Sequence, residues 1–159
     1  MTTAERKESK LVELEGRYWL TLQLFRAGLE VARPEIDYGI DLIAYREQES
    51  FVFPIQMKSA TDEVFSIDSK YGRLPRLTLV YVWYVRDSSR TKCFALTFKE
   101  AIAIADAMGY TKTESWRKGS YVTNAPSEHL KQLLAPYEIT SAENWSDRFA
   151  TLKSTTETG

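Results

Sequence analysis

The chain has 159 residues, of which 43% are hydrophobic, 13% aromatic and 27% charged, and its net charge is −1. That is one domain's worth of sequence with a sizeable core; it excludes a disordered chain and a globally basic one. A single cysteine (Cys93) and a single histidine (His129) exclude an internal disulfide framework, multi-cysteine zinc sites and His–His metal motifs. The polar start carries no secretory pattern, and no apolar run is long enough for a bilayer, so a cytoplasmic setting is expected.

Leu11, Leu14, Tyr18, Leu22, Phe25 and Leu29 recur in steps of three and four. They predict a helix from about residue 8 to 27, with that stripe buried and Gly28 near its end. A short extended piece around Val31–Arg33 follows. A strand is then expected over Tyr38–Tyr45, a polar turn at 46–50, and a second strand over Phe51–Lys58, together a hairpin. Residues 59–76 are mixed. Leu77–Val85 is almost continuously apolar, as in a strand covered on both faces, and pairs with Thr91–Thr97 across a turn at Asp87–Arg90. Phe98–Met108 reads as a helix stopped by Gly109. Residues 110–126 read as irregular, Ser127–Leu134 as a helix, and Ser141 as the N-cap of a last helix anchored by Trp145. The expected organisation is a single domain over residues 1–153 with a frayed polar tail at 154–159. The fold class is α/β, with a hairpin inside the sheet rather than strict βαβ alternation.

No glycine-rich phosphate loop and no GxSxG elbow is present. The informative residues are polar ones on strands that are otherwise apolar. Asp41 shares a strand face with Ile43 and Tyr45, and Gln56 shares one with Lys58. A turn near 46–50 brings Asp41 and Gln56 close across the hairpin. Unpartnered polar groups in such a place cost roughly 1–3 kcal/mol each, so they call for compensation. One compensation is a hard divalent cation: Asp41 supplies a carboxylate, Gln56 an amide oxygen and Met57 a backbone carbonyl. Lys58 would then act on an attacking water or on phosphate charge. The other is an Asp41–Lys58 ion pair on a solvated sheet edge. Glu15 lies about 20° from Leu22 in helical projection, at the border of the apolar stripe, and is the candidate helix carboxylate.

The blocks Tyr38-Gly39-Ile40-Asp41-Leu42-Ile43-Ala44 and Phe53-Pro54-Ile55-Gln56-Met57-Lys58-Ser59, preceded by a helix with an acidic residue, resemble the PD-(D/E)XK nuclease superfamily. The likeness is to small single-domain members related to Holliday-junction resolvases and spans roughly residues 11–85. It implies a restriction-endonuclease-like α-β-β-β-α-β core, a mixed central sheet flanked by helices, and Mg²⁺- or Mn²⁺-dependent hydrolysis of DNA. On this resemblance Asp41, Gln56, Lys58 and Glu15 form the catalytic set. Asp41, Gln56 and the Met57 carbonyl hold the metal, and Glu15 contributes through a water. Gln56 stands where most members carry an acid, so the motif is a QxK variant. The alternative is a catalytically inactive nuclease-fold module that binds nucleic acid or protein.

Charge is distributed unevenly. Residues 70–118 hold ten basic and four acidic side chains, a net of +6, leaving −7 for the rest. Lys70, Arg73, Arg76 and Lys118 are the candidate phosphate contacts, with aromatics beside them. DNA is the expected partner, with a homodimer or a partner protein open. A defence-associated or toxin-immunity role would instead use the aromatic C-terminal half to bind protein. No membrane association is expected.

Overall fold

Residues 1–48, 52–74 and 76–156 are described by the computed structural model of the chain. Helix α1 (Thr3–Arg26) opens on a capping box in which the Thr2 hydroxyl accepts from the Glu5 amide while the Glu5 carboxylate accepts from the Thr2 amide. Strands β1 (Glu30–Ala32), β2 (Leu42–Tyr45) and β3 (Val52–Ser59) follow, then β4 (Phe65–Asp68) running into a 3-10 turn at Ser69–Arg73. Next come β5 (Thr78–Trp83), β6 (Lys92–Thr97), α2 (Phe98–Ala107), α3 (Glu114–Arg117), β7 (Ser120–Thr123), α4 (Glu128–Leu134) and α5 (Ala142–Thr156).

Five strands form one mixed sheet in the order β1-β2-β3-β5-β6. The β3–β5 pair is parallel and the other three pairs are antiparallel. A right-sized crossover is needed between parallel neighbours. Here β4 and the 3-10 turn supply it, and β4 pairs with β7 in a separate two-stranded sheet. All six residues of β5 are buried because helices cover both faces. Leu20 and Leu24 of α1 and Trp145 and Phe149 of α5 pack on Leu42, Ile55, Met57, Val80 and Val82. Ala101 and Ile104 of α2, with Leu130 and Leu134 of α4, pack on Leu79, Tyr81, Trp83 and the β4 side chains Phe65 and Ile67. The mixed α/β class with a helix-flanked sheet is therefore the architecture observed. Among the described residues no helix is long and apolar enough to cross a membrane.

The hairpin, the doubly covered strand and the helix starts at Phe98 and Ser127 lie where the sequence puts them. Cys93 is buried and His129 exposed on α4. Three readings need correcting. The first strand of the hairpin begins at Leu42, although the Asp41 amide still donates to the Ile55 carbonyl at 2.8 Å. Residues 110–126 hold α3 and β7, whose short and half-exposed elements leave no periodic signature. Helix α1 is also turned the opposite way from the expectation: its buried residues are Gly16, Leu20 and Leu24, while Leu11, Leu14, Tyr18, Leu22 and Phe25 face outward. The reason is steric. A Cβ at Gly16 would lie 2.4 Å from the Ser59 Cβ, so the glycine face alone lets the helix backbone approach β3 this closely. The Ser59 hydroxyl seals the contact by donating to the Val12 carbonyl at 3.0 Å. Of the hairpin turn, residues 49 and 50 lie outside the described residues. Helix α5 continues to Thr156, into the stretch expected to fray.

Candidate metal centre

Strand pairing alone brings the two polar blocks together. Leu42 lies opposite Ile55 in the antiparallel β2–β3 ladder, which places Asp41 beside the Gln56–Met57 segment. Alternation sends Ile55 and Met57 into the core and leaves Gln56 and Lys58 on the other side. Asp41 is only 9% exposed. Its Oδ2 accepts from the Met57 amide and from Gln56 Nε2, each at 2.7 Å. Gln56 Nε2 also stands 3.4 Å from the Met57 carbonyl oxygen. Gly39, with φ +95°, turns the chain over this cluster, its Cα facing the Tyr71 ring and the Gln56 amide oxygen.

These groups line a polar cleft of about 250 Å³ that also takes in Lys58, Tyr71 and Asp37. Burial raises the Asp41 carboxyl above its ordinary value; the Met57 amide opposes that, and repulsion from Asp37 and Glu13 adds to it. Burial, with the charges of Asp68, Asp41 and Asp37, likewise pushes the Tyr71 hydroxyl up to about 12. The cleft is thus acidic in character, with the exposed Lys58 ammonium at its wall.

Glu13, and not the expected Glu15, is the α1 carboxylate on the cleft wall. Glu13 lines the cleft and is held by Arg17 at 2.6 Å. Glu15 is bound by Arg86 Nε at 2.7 Å, and the same guanidinium takes Glu8. The correction follows from the rotation of α1: burying Gly16, Leu20 and Leu24 swings the Glu13 side toward the sheet and Glu15 away from the cleft. The small residue followed by leucines in steps of four was the signal in the sequence, masked by a larger stripe on the opposite face.

Two of the basic candidates, Lys70 and Lys118, lie on neighbouring segments. The Ser69 amide donates to the Gly119 carbonyl at 2.8 Å, which sets the 3-10 turn carrying Lys70 and Arg73 beside Lys118. Lys70 is paired with Asp68 at 3.3 Å and lies 5.2 Å from the Tyr71 ring centre. Lys118 is paired with Glu114 at 3.1 Å. Arg73 and Arg76 are exposed, Arg76 with φ +65°.

No set of three or more His, Cys, Asp and Glu side chains converges among the described residues. Around Asp41 the candidate donors are its carboxylate, the Gln56 amide oxygen and the Met57 peptide carbonyl, with Asp37 and Glu13 elsewhere on the cleft wall. Gln56 Oε1 is buried without a hydrogen-bond partner. A buried acceptor left open beside a carboxylate of raised proton affinity fits a hard, oxygen-seeking cation, so the residues present suit Mg²⁺ or Mn²⁺.

No protein-family model matches the sequence, and no curated protein matches it. Among solved structures, the chain is similar to Hjc, a Holliday junction resolvase from Archaeoglobus fulgidus, at 13% identity and a TM-score of 0.46, over 78% of this chain and 95% of that one.

Proposed function

We propose that the protein is a divalent-metal-dependent nuclease that hydrolyses phosphodiester bonds in DNA, with Asp41, Gln56 and the Met57 carbonyl as the metal-holding oxygens. The observation that carries this reading is the convergence on Asp41 of the Met57 amide and the Gln56 side chain, with an open Gln56 oxygen and Lys58 on the same side of β3. A half-turn of the Gln56 amide, which gives up its 2.7 Å bond to Asp41, would present the oxygen beside the carboxylate. Mg²⁺ or Mn²⁺, when bound, supplies Lewis-acid polarisation and neutralises phosphate charge. The Met57 amide keeps Asp41 oriented through its Oδ2. Lys58 lies on the cleft wall, where an ammonium stabilises a phosphate gaining negative charge. Glu13, carried in by α1, takes the place foreseen for Glu15. Lys70, Arg73, Arg76 and Lys118 supply phosphate contacts outside the cleft.

The test is incubation of the purified protein with supercoiled, linear and four-way-junction DNA in Mg²⁺ or Mn²⁺. Cleavage is expected in wild type, and Asp41→Ala and Lys58→Ala should each lose at least about a hundredfold in rate. Cleavage by Asp41→Ala at the wild-type rate would remove the carboxylate from the mechanism.

One observation favours a second reading, a nuclease-fold module that binds without cutting. Gln56 Nε2 already partners Asp41 Oδ2 at 2.7 Å, so the carboxylate is hydrogen-bonded without a cation. On that reading DNA binding, measured by anisotropy against salt, persists in Asp41→Ala while no metal produces cleavage.

A further inference from the structure

Helix α1 buries Gly16, Leu20 and Leu24 against the sheet, and on its opposite side carries five large apolar side chains exposed to solvent. Leu11 is 45% exposed, Leu14 37%, Tyr18 66%, Leu22 46% and Phe25 51%. Scattered apolar residues on a surface need no explanation, but a continuous stripe along one helix does. From Leu11 to Phe25 it runs about 21 Å at 1.5 Å per residue. The other described residues leave it exposed.

The spacing of the stripe identifies its partner. The steps are three, four, four and three, symmetric about Tyr18. A two-fold axis through Tyr18 therefore lays an antiparallel copy of the helix on the first with every apolar residue matched. Leu11 meets the other copy's Phe25, Leu14 its Leu22, and Tyr18 its Tyr18. Such self-complementarity is the signature of an isologous contact, in which one patch serves both copies.

The flanking charges agree. At about 100° per residue Glu8 and Arg26 lie on the same side of the stripe, near its two ends. In an antiparallel pair, same-side flanks face one another, so the exposed Arg26 of each copy comes within about two residues of level with Glu8 of the other, whose carboxylate also holds Arg86. The antiparallel arrangement also sets the C-terminal end of one helix dipole beside the N-terminal end of the other.

We propose that α1 is a homodimerisation element, and that two copies of this chain pair antiparallel through Leu11, Leu14, Tyr18, Leu22 and Phe25. The inference is independent of the cleft's chemistry. Because Ser9 and Glu13 of the same helix line the cleft, the dimer carries a cleft on each side of one helix pair. A contact of a single helix pair is small, so a reversible monomer–dimer equilibrium is expected.

Sedimentation across a concentration series into the high-micromolar range reads the mass, with 18.3 kDa for one chain. Wild type should move toward twice that mass. The double variant Leu14→Glu/Leu22→Glu should stay at one chain while keeping the wild-type circular dichroism spectrum, since both sites lie on the outer face of α1. Orientation is read by cysteine cross-linking with copper–phenanthroline as oxidant, where the native Cys93, 1% exposed, stays silent. A mixture of Leu11→Cys and Phe25→Cys proteins should form a disulfide-linked heterodimer, and Leu11→Cys alone should not self-link. That mixture decides the question even if the glutamate variant fails to fold. A wild type that stays at one chain, a double variant that dimerises like wild type, or self-linked Leu11→Cys would each overturn the proposal.

Discussion

At the scale of single residues, the cleft turns on the difference between an amide and a carboxylate at position 56. Gln56 lets the buried Asp41 be satisfied by a neutral donor; an acid there would add a second negative charge beside a carboxylate already repelled by Asp37 and Glu13. Gln56→Glu should therefore lower the melting temperature in metal-free buffer and strengthen Mn²⁺ binding by about tenfold or more, because the ligand set gains a charge. Differential scanning fluorimetry with and without Mn²⁺ checks both signs; a variant indifferent to Mn²⁺ would show that position 56 does not face the cation. The Asp41, Gln56 and Lys58 cluster was legible in the sequence because strand alternation fixes which side chains share a face and because polar residues stand out on apolar strands. The helix carboxylate was not. Helical periodicity reports where an apolar stripe lies and is silent about which of two stripes meets the sheet.

At the scale of elements, two contacts place the cleft's walls. Gly16 against Ser59 sets how closely α1 approaches β3, and with it where Glu13 stands. Gly16→Ala should destabilise the fold by about 1–3 kcal/mol, since the added methyl meets Ser59 and must displace the helix. Denaturant unfolding reads the loss, and Ser59→Gly in the same chain should recover part of it. On the other face, Glu63 ties the segment after β3 to α4: it accepts from Lys131 at 2.9 Å and from the Tyr84 hydroxyl at 2.7 Å. Burial alone would raise this carboxyl, yet the Lys131 ammonium and the Tyr84 hydroxyl hold it below its ordinary value of 4.5. A depressed carboxyl stabilises the fold above its unfolded value and loses that contribution as pH falls through the folded one. Wild type should accordingly lose more stability than Glu63→Gln between about pH 5 and pH 3 in thermal melts; parallel acid limbs would show the pair contributes nothing. The short elements between residues 110 and 126 escaped the sequence because α3 and β7 are only four residues each and owe their form to the tertiary contacts around them, such as the Ser115 hydroxyl donating to the Ser120 carbonyl and the β4–β7 ladder.

At the scale of the whole molecule, the near-zero net charge conceals a division of labour. The cleft is walled by carboxylates, while the rim at the 3-10 turn and the Lys118 turn is basic. DNA binding should weaken steeply with salt, and Lys70→Ala and Arg73→Ala should each reduce the slope of log K against log salt by about 1. A slope unchanged in the double variant would move the phosphate contacts to another surface. The overall class was readable in advance because a doubly covered strand, a hairpin and capped helices are local signals. The separate β4–β7 sheet was not, since it joins segments more than fifty residues apart.

Isothermal titration of Mn²⁺ into wild type and Asp41→Ala tests most directly whether the cleft holds a cation. The account predicts a saturable site in wild type that is lost in the variant while its circular dichroism spectrum is retained. Titration curves that coincide for the two proteins, or a wild type that takes up no Mn²⁺, would contradict it.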